Sequence, residues 1–531
     1  MKLKLNNVRV AVTNNKALLD IVAHKLYVDK KNISKITILR RTVDARRKNN
    51  ICLVYNLALD LALSQEQGAK LLSYHKELTP YKPQAWPELA TGTEELTGQP
   101  IVVGSGPAGL VAGLILAQAG YKPLILERGK ALAQRVTDVE NFWRNGNFDP
   151  TSNVQFGAGG AGTFSDGKLT TRVNDPVMAH ILQCFVEAGA PADILYEHKP
   201  HVGTDQLRKM VTGLLQEIER LGGSVRYEAQ VTDLRLTGQQ VTGVQLASGE
   251  VISSNAVILA CGHSARDTYA MLDRHKVALE AKAFAIGVRV EHEQKLINQA
   301  QYGAMADNPK LGAADYAMVY HDKDRQHTAY SFCMCPGGQV VAAASETGVV
   351  VTNGMSQHDR ASGLANSALV VNVTPADFGS GVLQGIEFQR HYEQLAYTAG
   401  GCDYRAPAQN IKSFMTGSTP TLAAGFTPSY KPGLVASELS KILPPYVVTT
   451  LQAGITYFGR RVAGFDQDGI LTGVETRTSS PVRILRSESG QSLSHANLYP
   501  AGEGAGYAGG IMSAALDGYH QAAKIVARFG K

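Results

Sequence analysis

The chain has 531 residues, 44% hydrophobic and 18% charged, with a net charge of +6. This composition is globular, excludes long-range disorder, and is too long for one compact domain. No stretch approaches the roughly 18 uninterrupted apolar residues of a membrane span, and the polar start at Lys2, Lys4, Asn6 and Asn7 lacks the apolar core of a signal peptide, so a cytoplasmic location is expected.

The first 95 residues predict a small α/β module. Leu3 to Val12 alternates like a strand, Lys16 to Val28 has helical spacing, Ser34–Val43 and Asn50–Leu59 read as two further strands, and Gln65–His75 as a second helix. The segment carries 16 of the 52 basic residues and 9 of the 46 acidic ones, a net of +7, which leaves the rest at −1. Arg40, Arg41, Arg46, Arg47 and Lys48 are either a solvated hairpin edge or a docking face, within residues 30–48, for RNA or an acidic protein. DNA binding and a membrane span are not expected. Pro80 to Gln99, with three prolines and two Thr-Gly steps, reads as a linker.

The main body opens with a short buried-strand pattern, Gln99 to Val103, running into Gly104-Ser105-Gly106-Pro107-Ala108-Gly109. A helix is predicted over Pro107–Ala119 and a strand over Pro123–Leu126, ending at Glu127 with Arg128 beside it. A lone G-x-G-x-x-G is weak, but this one lies between strand and helix, with an acid 23 positions after its first glycine. That context predicts a dinucleotide site. Gly104 permits the turn, Gly106 admits a pyrophosphate, Gly109 lets helix and strand meet, and Glu127 suits ribose hydroxyls. The helix N-terminus offers free N–H groups to phosphate.

A second glycine-rich loop runs from Asn153 to Leu169. Its Gln155, Gly157, Gly159, Gly160, Ala161, Gly162 and Thr163 are further cofactor-binding candidates. Gly162 to Lys168 nearly matches a P-loop, but Leu169 stands at the hydroxyl position and cannot bind Mg²⁺, which excludes the NTPase reading. Residues 223–262 predict a meander, Ser224–Leu236, Val241–Leu246 and Glu250–Ser253, then a buried strand Ala256–Ala260 entering Cys261-Gly262. Near the end, a strand leads through Gly502-Glu503-Gly504-Ala505-Gly506 to Gly510 and Ile511 and into a helix.

These motifs resemble the glutathione-reductase-like superfamily, and within it the chain is similar to an uncharacterised bacterial family of FAD-dependent dehydrogenases. The loop from Asn153 to Leu169 carries the resemblance, with Gly262-His263-Ser264-Ala265-Arg266-Asp267, Ser331 to Gly338, Asn353 to Ser356, Gly473 to Pro481 and the C-terminal loop. It implies FAD, with Glu127 at the adenosine ribose, Val231 at adenine, and Gly502, Glu503 and Ile511 by ribitol and isoalloxazine. The implied fold is an α/β, Rossmann-like FAD-binding domain of the glutathione-reductase type. It would span 97–280 and 441–531, with an α+β substrate domain at 281–440 inserted and the basic module at 1–95 in front.

The implied function is hydride transfer through the flavin to or from an unidentified small molecule. The alternative is an FAD-binding protein that docks RNA or protein through the basic module. A disulfide-reductase arrangement needs a cysteine pair soon after Glu127, and none lies before Cys184. Four residues are catalytic candidates. His263 is an acid–base group or a structural histidine. Arg266 binds an anionic substrate or pairs with Asp267. Arg477 lines a substrate mouth, or with Thr478 and Ser480 merely caps a turn. Cys335, with Cys333, is a thiol candidate or a small packing residue; their spacing strains a mutual disulfide. His358 is expected at a loop surface. No metal site is expected.

Overall fold

A computed structural model describes residues 1–323 and 326–531. At the front, Lys2–Ala11, Ile33–Asp44, Cys52–Leu61 and Leu78–Pro80 form an antiparallel sheet. The apolar positions of the first strand change parity, from Leu3 and Leu5 to Val8 and Val10. A register shift between Leu5 and Val8, with Asn7 at φ 57°, absorbs the extra residue and keeps all four buried. This is what a bulge does in a half-buried strand. Helices Leu18–Leu26 and Gln65–Tyr74 flank the sheet, the second begun by a Ser64–Gln67 capping box.

The body is built on a five-stranded parallel sheet in the order Leu498–Pro500, Val257–Leu259, Ile101–Val103, Leu124–Leu126, Ser224–Arg226. Its four inner and C-terminal strands are fully buried, as expected where helices cover both faces. Helix Pro107–Gln118 is buried almost all round and is clasped by Thr204–Arg220 and the C-terminal helix Ile511–Arg528. The last contact is close because Gly518 lies on Ala108, where a Cβ would stand 2.1 Å from the Ala108 carbonyl oxygen. The expected strand Ser224–Leu236 is two strands. Ser224–Arg226 ends the parallel sheet, and Val231–Thr237 starts a separate three-stranded one. Glu228, at φ 53°, turns the chain between them.

A seven-stranded, mostly antiparallel sheet forms the other half, ordered Val319–Asp322, His327–Cys335, Leu364–Val373, Phe284–Glu293, Ile470–Glu475, Ala406–Asn410, Leu434–Ala436. Helix Pro445–Gly459 packs against it, and the largest hydrophobic core lies between them. The expected boundary at 440/441 therefore falls inside this unit: Ile470–Glu475 pairs with Phe284–Glu293, and the chain returns to the parallel sheet only at Leu498. Among the described residues, no helix is long and apolar enough to cross a membrane.

Candidate functional site

A cavity of about 400 Å³ runs from the C-terminal edge of the parallel sheet to the wall of the seven-stranded one. The two glycine-rich turns meet it as helix N-termini. Pro107–Gln118 starts from Gly106 and Ile511–Arg528 from Gly510, and neither start has a side-chain cap. Their first N–H groups therefore remain available to an anion, with the helix dipoles behind them.

The glycines divide by what surrounds them. Gly104, Gly109, Gly157 and Gly159 are packed: a Cβ on Gly109 would lie 1.9 Å from the Gly104 carbonyl oxygen, and one on Gly157 2.4 Å from Arg135. Gly106 meets only Gly160 Cα at 3.9 Å, and Gly509 and Gly510 meet nothing within 4 Å. Those three face the cavity bare.

Of the expected cofactor residues, Gly104, Gly106, Pro107, Ala108, Glu127, Arg128, Gln155, Gly160, Ala161, Gly162, Val231, Cys261, Gly262, Gly502, Glu503, Gly510 and Ile511 line this cavity. Gly109, Gly157, Gly159 and Thr163 stand behind it and shape it instead. Thr163 bonds to the Ala158 carbonyl and accepts through its own carbonyl from Thr204.

Glu127 has a heavier structural duty than its position at the strand end suggests. Its carboxylate accepts from the Ser105 N–H at 2.9 Å, the Ser105 hydroxyl at 2.6 Å, the Gly129 N–H at 3.0 Å and the Gly157 N–H at 2.9 Å. It staples the first fingerprint turn to the second glycine-rich loop. That loop is held from below by Arg135, fully buried, which donates to the carbonyls of Asn153, Val154, Gly157 and Ala158. Burial without a directly bonded carboxylate lowers the Arg135 pKa to about 9. Sequence reading missed Arg135, although its signal was present. It occupies an apolar slot in the run Leu132, Arg135, Val139, Phe142 of helix Leu132–Asn145.

At the far end, two catalytic candidates are placed elsewhere than expected. Arg266 does not line the cavity. It pairs with Glu393 at 2.8 Å and with Glu346, and it bonds Gln389. Asp267, one of the two partners open to it in the sequence, instead takes Arg128 at 2.9 Å. Cys335 is fully buried behind the wall, and Cys333 lines the cavity in its place. Arg477 does reach the cavity, but its guanidinium is committed to Glu393, at 3.0 Å, and to the hydroxyls of Ser264 and Ser345. Burial opposes ionisation of Glu393, yet the two arginines hold it well below the usual carboxylate range.

His263 lines the cavity with Nδ1 unpartnered and Nε2 3.8 Å from a Glu503 oxygen. Burial and the nearby Arg477 lower its pKa to about 3, and burial, against the pull of Lys282, raises that of Glu503 to about 7. Thr478 lines the cavity, while Ser480 meets the Tyr269 hydroxyl at 3.0 Å. Sequence reading also missed Lys168, Phe332 and Glu475 as lining residues. Lys168 pairs with Asp166 at 2.9 Å and bonds the Met334 carbonyl, and Arg360 holds Asp166 from the other side at 2.8 Å. Glu475 is paired bidentately with fully buried Arg289. His358 lies in a turn, as expected, but is half-buried: it stacks on His201 at 5.1 Å and bonds the Val202 carbonyl.

The basic hairpin is tied down over a second cavity of about 470 Å³, beside the body. Arg41 pairs with Glu197 and its N–H donates to the Tyr196 carbonyl, Arg40 bonds His198, and Arg46 and Arg9 share Asp44.

A parallel sheet whose glycine turns feed two uncapped helix N-termini into one cavity defines a Rossmann-like dinucleotide-binding protein. Family models agree and sharpen this. They match an NAD(P)-binding Rossmann-like domain over 102–169, an FAD dependent oxidoreductase over 198–358, an FAD-dependent protein C-terminal domain over 283–478, and a domain of unknown function over 2–60. A Clostridium beijerinckii protein, described as uncharacterized, is 46% identical over 100% of this chain and 99% of its own. The chain belongs to that protein's family, and it is an FAD-dependent oxidoreductase.

A digeranylgeranylglycerophospholipid reductase of Haloferax volcanii is 27% identical over 42% of this chain and 50% of its own. Among solved structures, glycine oxidase from Bacillus cereus aligns with TM-score 0.35 and 10% identity, covering 82% of this chain and 99% of that one. A geranylgeranyl bacteriochlorophyll reductase-like protein from Thermoplasma acidophilum aligns with TM-score 0.34 and 13% identity, over 82% and 79%.

The residues present fit FAD. The bare faces of Gly106, Gly509 and Gly510 leave room where a Cβ would intrude, and the two helix starts carry unbonded N–H groups toward that room.

Proposed function

We propose that the cavity holds FAD extended along its length, as in the glutathione-reductase type, and that the protein moves hydride between an organic donor and an acceptor at the end near Lys168, Cys333 and Glu503. The adenosine end is then at Arg128, Ala229 and Val231, with Arg128 set against the Phe156 ring at 4.4 Å and anchored by Asp267. The N–H groups that follow Gly106 would hold the pyrophosphate, and those that follow Gly510 would face the flavin end. Bound there, FAD supplies two-electron hydride chemistry.

The chain's own residues do the rest. The seven-stranded unit acts as the substrate domain and walls the reacting end with Phe332, Cys333, Asn353, Glu475 and Arg477. Lys168 is held charged: burial opposes this, but Asp166 raises its pKa. It therefore presents a fixed cation to an anionic group. Glu503 keeps a proton near neutral pH and His263 stays neutral, so the proton sits on Glu503, 3.8 Å from the ring nitrogen. Arg477, spent on Glu393 and two hydroxyls, positions the loop carrying Ser264 rather than seizing substrate.

The observation that carries this reading is a single cavity shared by both helix starts and by the Lys168–Cys333–Glu503 end. Heating the purified protein and chromatographing the released cofactor tests it, and FAD is expected. Gly106 has an ordinary extended backbone, φ −72° and ψ −178°, with free space around its Cβ position. Gly106→Leu should therefore fold with unchanged circular dichroism yet lose FAD. Release of FMN, or wild-type FAD content in Gly106→Leu, would overturn the placement.

A further inference from the structure

The strand His327–Cys335 carries a pair of thiols that the oxidoreductase assignment leaves without a task. Its pairing with Leu364–Val373 slips between Phe332 and Cys335, and Cys333 takes φ 44° within the slip. A bulge of this kind re-aims a side chain. Here Cys333 reaches the cavity while Cys335 stays in the core, under Gly354, whose Cβ position is 2.9 Å from the Cys335 sulfur. The two remain linked: the Cys335 thiol lies 3.4 Å from the Cys333 carbonyl.

We propose that Cys333 and Cys335 form a thiol–disulfide exchange site, with Cys333 as the attacking thiolate, Cys335 as the resolving thiol, and a small disulfide entering the cavity as substrate. The charge around the pair supports the division of labour. Lys168 faces Cys333 from the glycine-rich loop, Arg289 reaches its carbonyl at 3.3 Å from strand Phe284–Glu293, and the acids nearby are Asp166, Glu503 and Glu475, the last paired with Arg289. Asp166 is neutralised by Lys168 and Arg360, and Glu503 holds a proton near neutral pH. The neighbouring Cys335 thiol, then Lys168 and Arg289 against the effect of burial, lower Cys333 to about 6, while the neighbouring Cys333 and burial push Cys335 up. One thiolate beside one protonated thiol is the pairing that both attacks and resolves. Cys261, the other cavity thiol, is raised by burial to about 11 and stays protonated.

In the first step the Cys333 thiolate displaces one half of the substrate disulfide, which leaves as a thiolate. In the second, Cys335 attacks the mixed disulfide at the Cys333 sulfur. Its proton goes to the departing second half, and a Cys333–Cys335 disulfide remains, strained by its short spacing and therefore readily reduced. The substrate gains the two electrons that the protein dithiol loses, and excess small thiol reverses both steps.

The test uses the full FAD-loaded chain in a Cys402→Ser background, because Cys402 is exposed, with 4,4′-dithiodipyridine as reagent. A fast phase should release two thiopyridones, leave a 333–335 disulfide in peptide mass maps, and reach half its plateau rate near pH 6. At pH 5 the thiolate fraction exceeds that of an ordinary cysteine by roughly 300-fold, and lower nucleophilicity takes back about 13-fold of it. The rate should then be about 20-fold above that of a cysteine peptide. Cys333→Ser should abolish the phase, and Cys335→Ser should give one thiopyridone and a trapped mixed disulfide on Cys333. A fast phase that survives Cys333→Ser, or a wild type whose reactivity rises only above pH 8, would overturn the proposal. Neither result bears on FAD content, which is measured separately on the same samples.

Discussion

Replacing Glu127 with alanine should destabilise the protein even when no cofactor is bound. Its carboxylate accepts four hydrogen bonds in a buried setting, three from backbone N–H groups that cannot move away. The Ser105 hydroxyl can rotate toward another partner. The three amides cannot, and each unsatisfied donor costs about 1–3 kcal/mol. Water from the adjoining cavity relieves part of this, so the lower figure applies and the total is about 3 kcal/mol. For a cooperative unit of 150–250 residues that is on the order of 6–12 °C in Tm. Glu127→Gln keeps one carbonyl oxygen but turns an NH₂ group toward two donors, so it should lose about half as much. Differential scanning calorimetry on FAD-stripped protein measures both variants. Equal melting of stripped wild type and stripped Glu127→Ala would refute the stapling role and leave only a ligand-binding one.

Glu393→Gln leaves the Arg266 and Arg477 guanidinium groups buried without their shared counter-charge, and breaking such a pair costs about 3–5 kcal/mol. Urea denaturation at neutral pH should show that loss. Because Glu393 is held below the ordinary carboxylate range, its contribution in the wild type is present above pH 5 and fades as acid is added. Glu503 runs the opposite way. Its pKa is raised to about 7, so its favourable contribution is full below pH 4.5 and lost as pH rises through 7. Glu503→Gln should flatten that slope in stripped protein, by up to about 3 kcal/mol. Among the described residues only one parallel sheet feeds glycine-rich turns into a cavity. Stopped-flow mixing with NADH or NADPH should therefore show slow flavin reduction without saturation at micromolar concentrations.

Local features of this chain were readable from sequence, and features that depend on distant pairing were not. The turn Gly104–Gly109 and its flanking strand and helix follow from spacing alone, because a tight turn, a close helix and a buried strand are each dictated within a few residues. The role of Glu127 was half visible. Its place at the strand end was clear, but three of its four donors belong to residues 22 and 30 positions away. Arg266 and Arg477 looked like substrate ligands because their common partner Glu393 lies 127 and 84 positions distant, and no periodicity reports such a pairing. Strict alternation puts Cys333 and Cys335 on one face, and only the slipped register separates them. The boundary near 440 failed because Pro445–Gly459 is apolar enough to suit either half, and strand pairing by Ile470–Glu475 decides it.

The parallel sheet has a consequence for how the molecule comes into being on the ribosome. Its strand Val257–Leu259 must wait for its neighbour Leu498–Pro500, and 239 positions separate Leu259 from Leu498. At 5–20 residues per second that interval is roughly 12–50 s. Throughout it the nascent chain exposes an unpaired sheet edge and the apolar side of Pro107–Gln118 that Ile511–Arg528 later covers. The second glycine-rich turn and the helix start at Gly510 join the cavity wall only after that interval. Until then that strand edge is open to pairing with other chains.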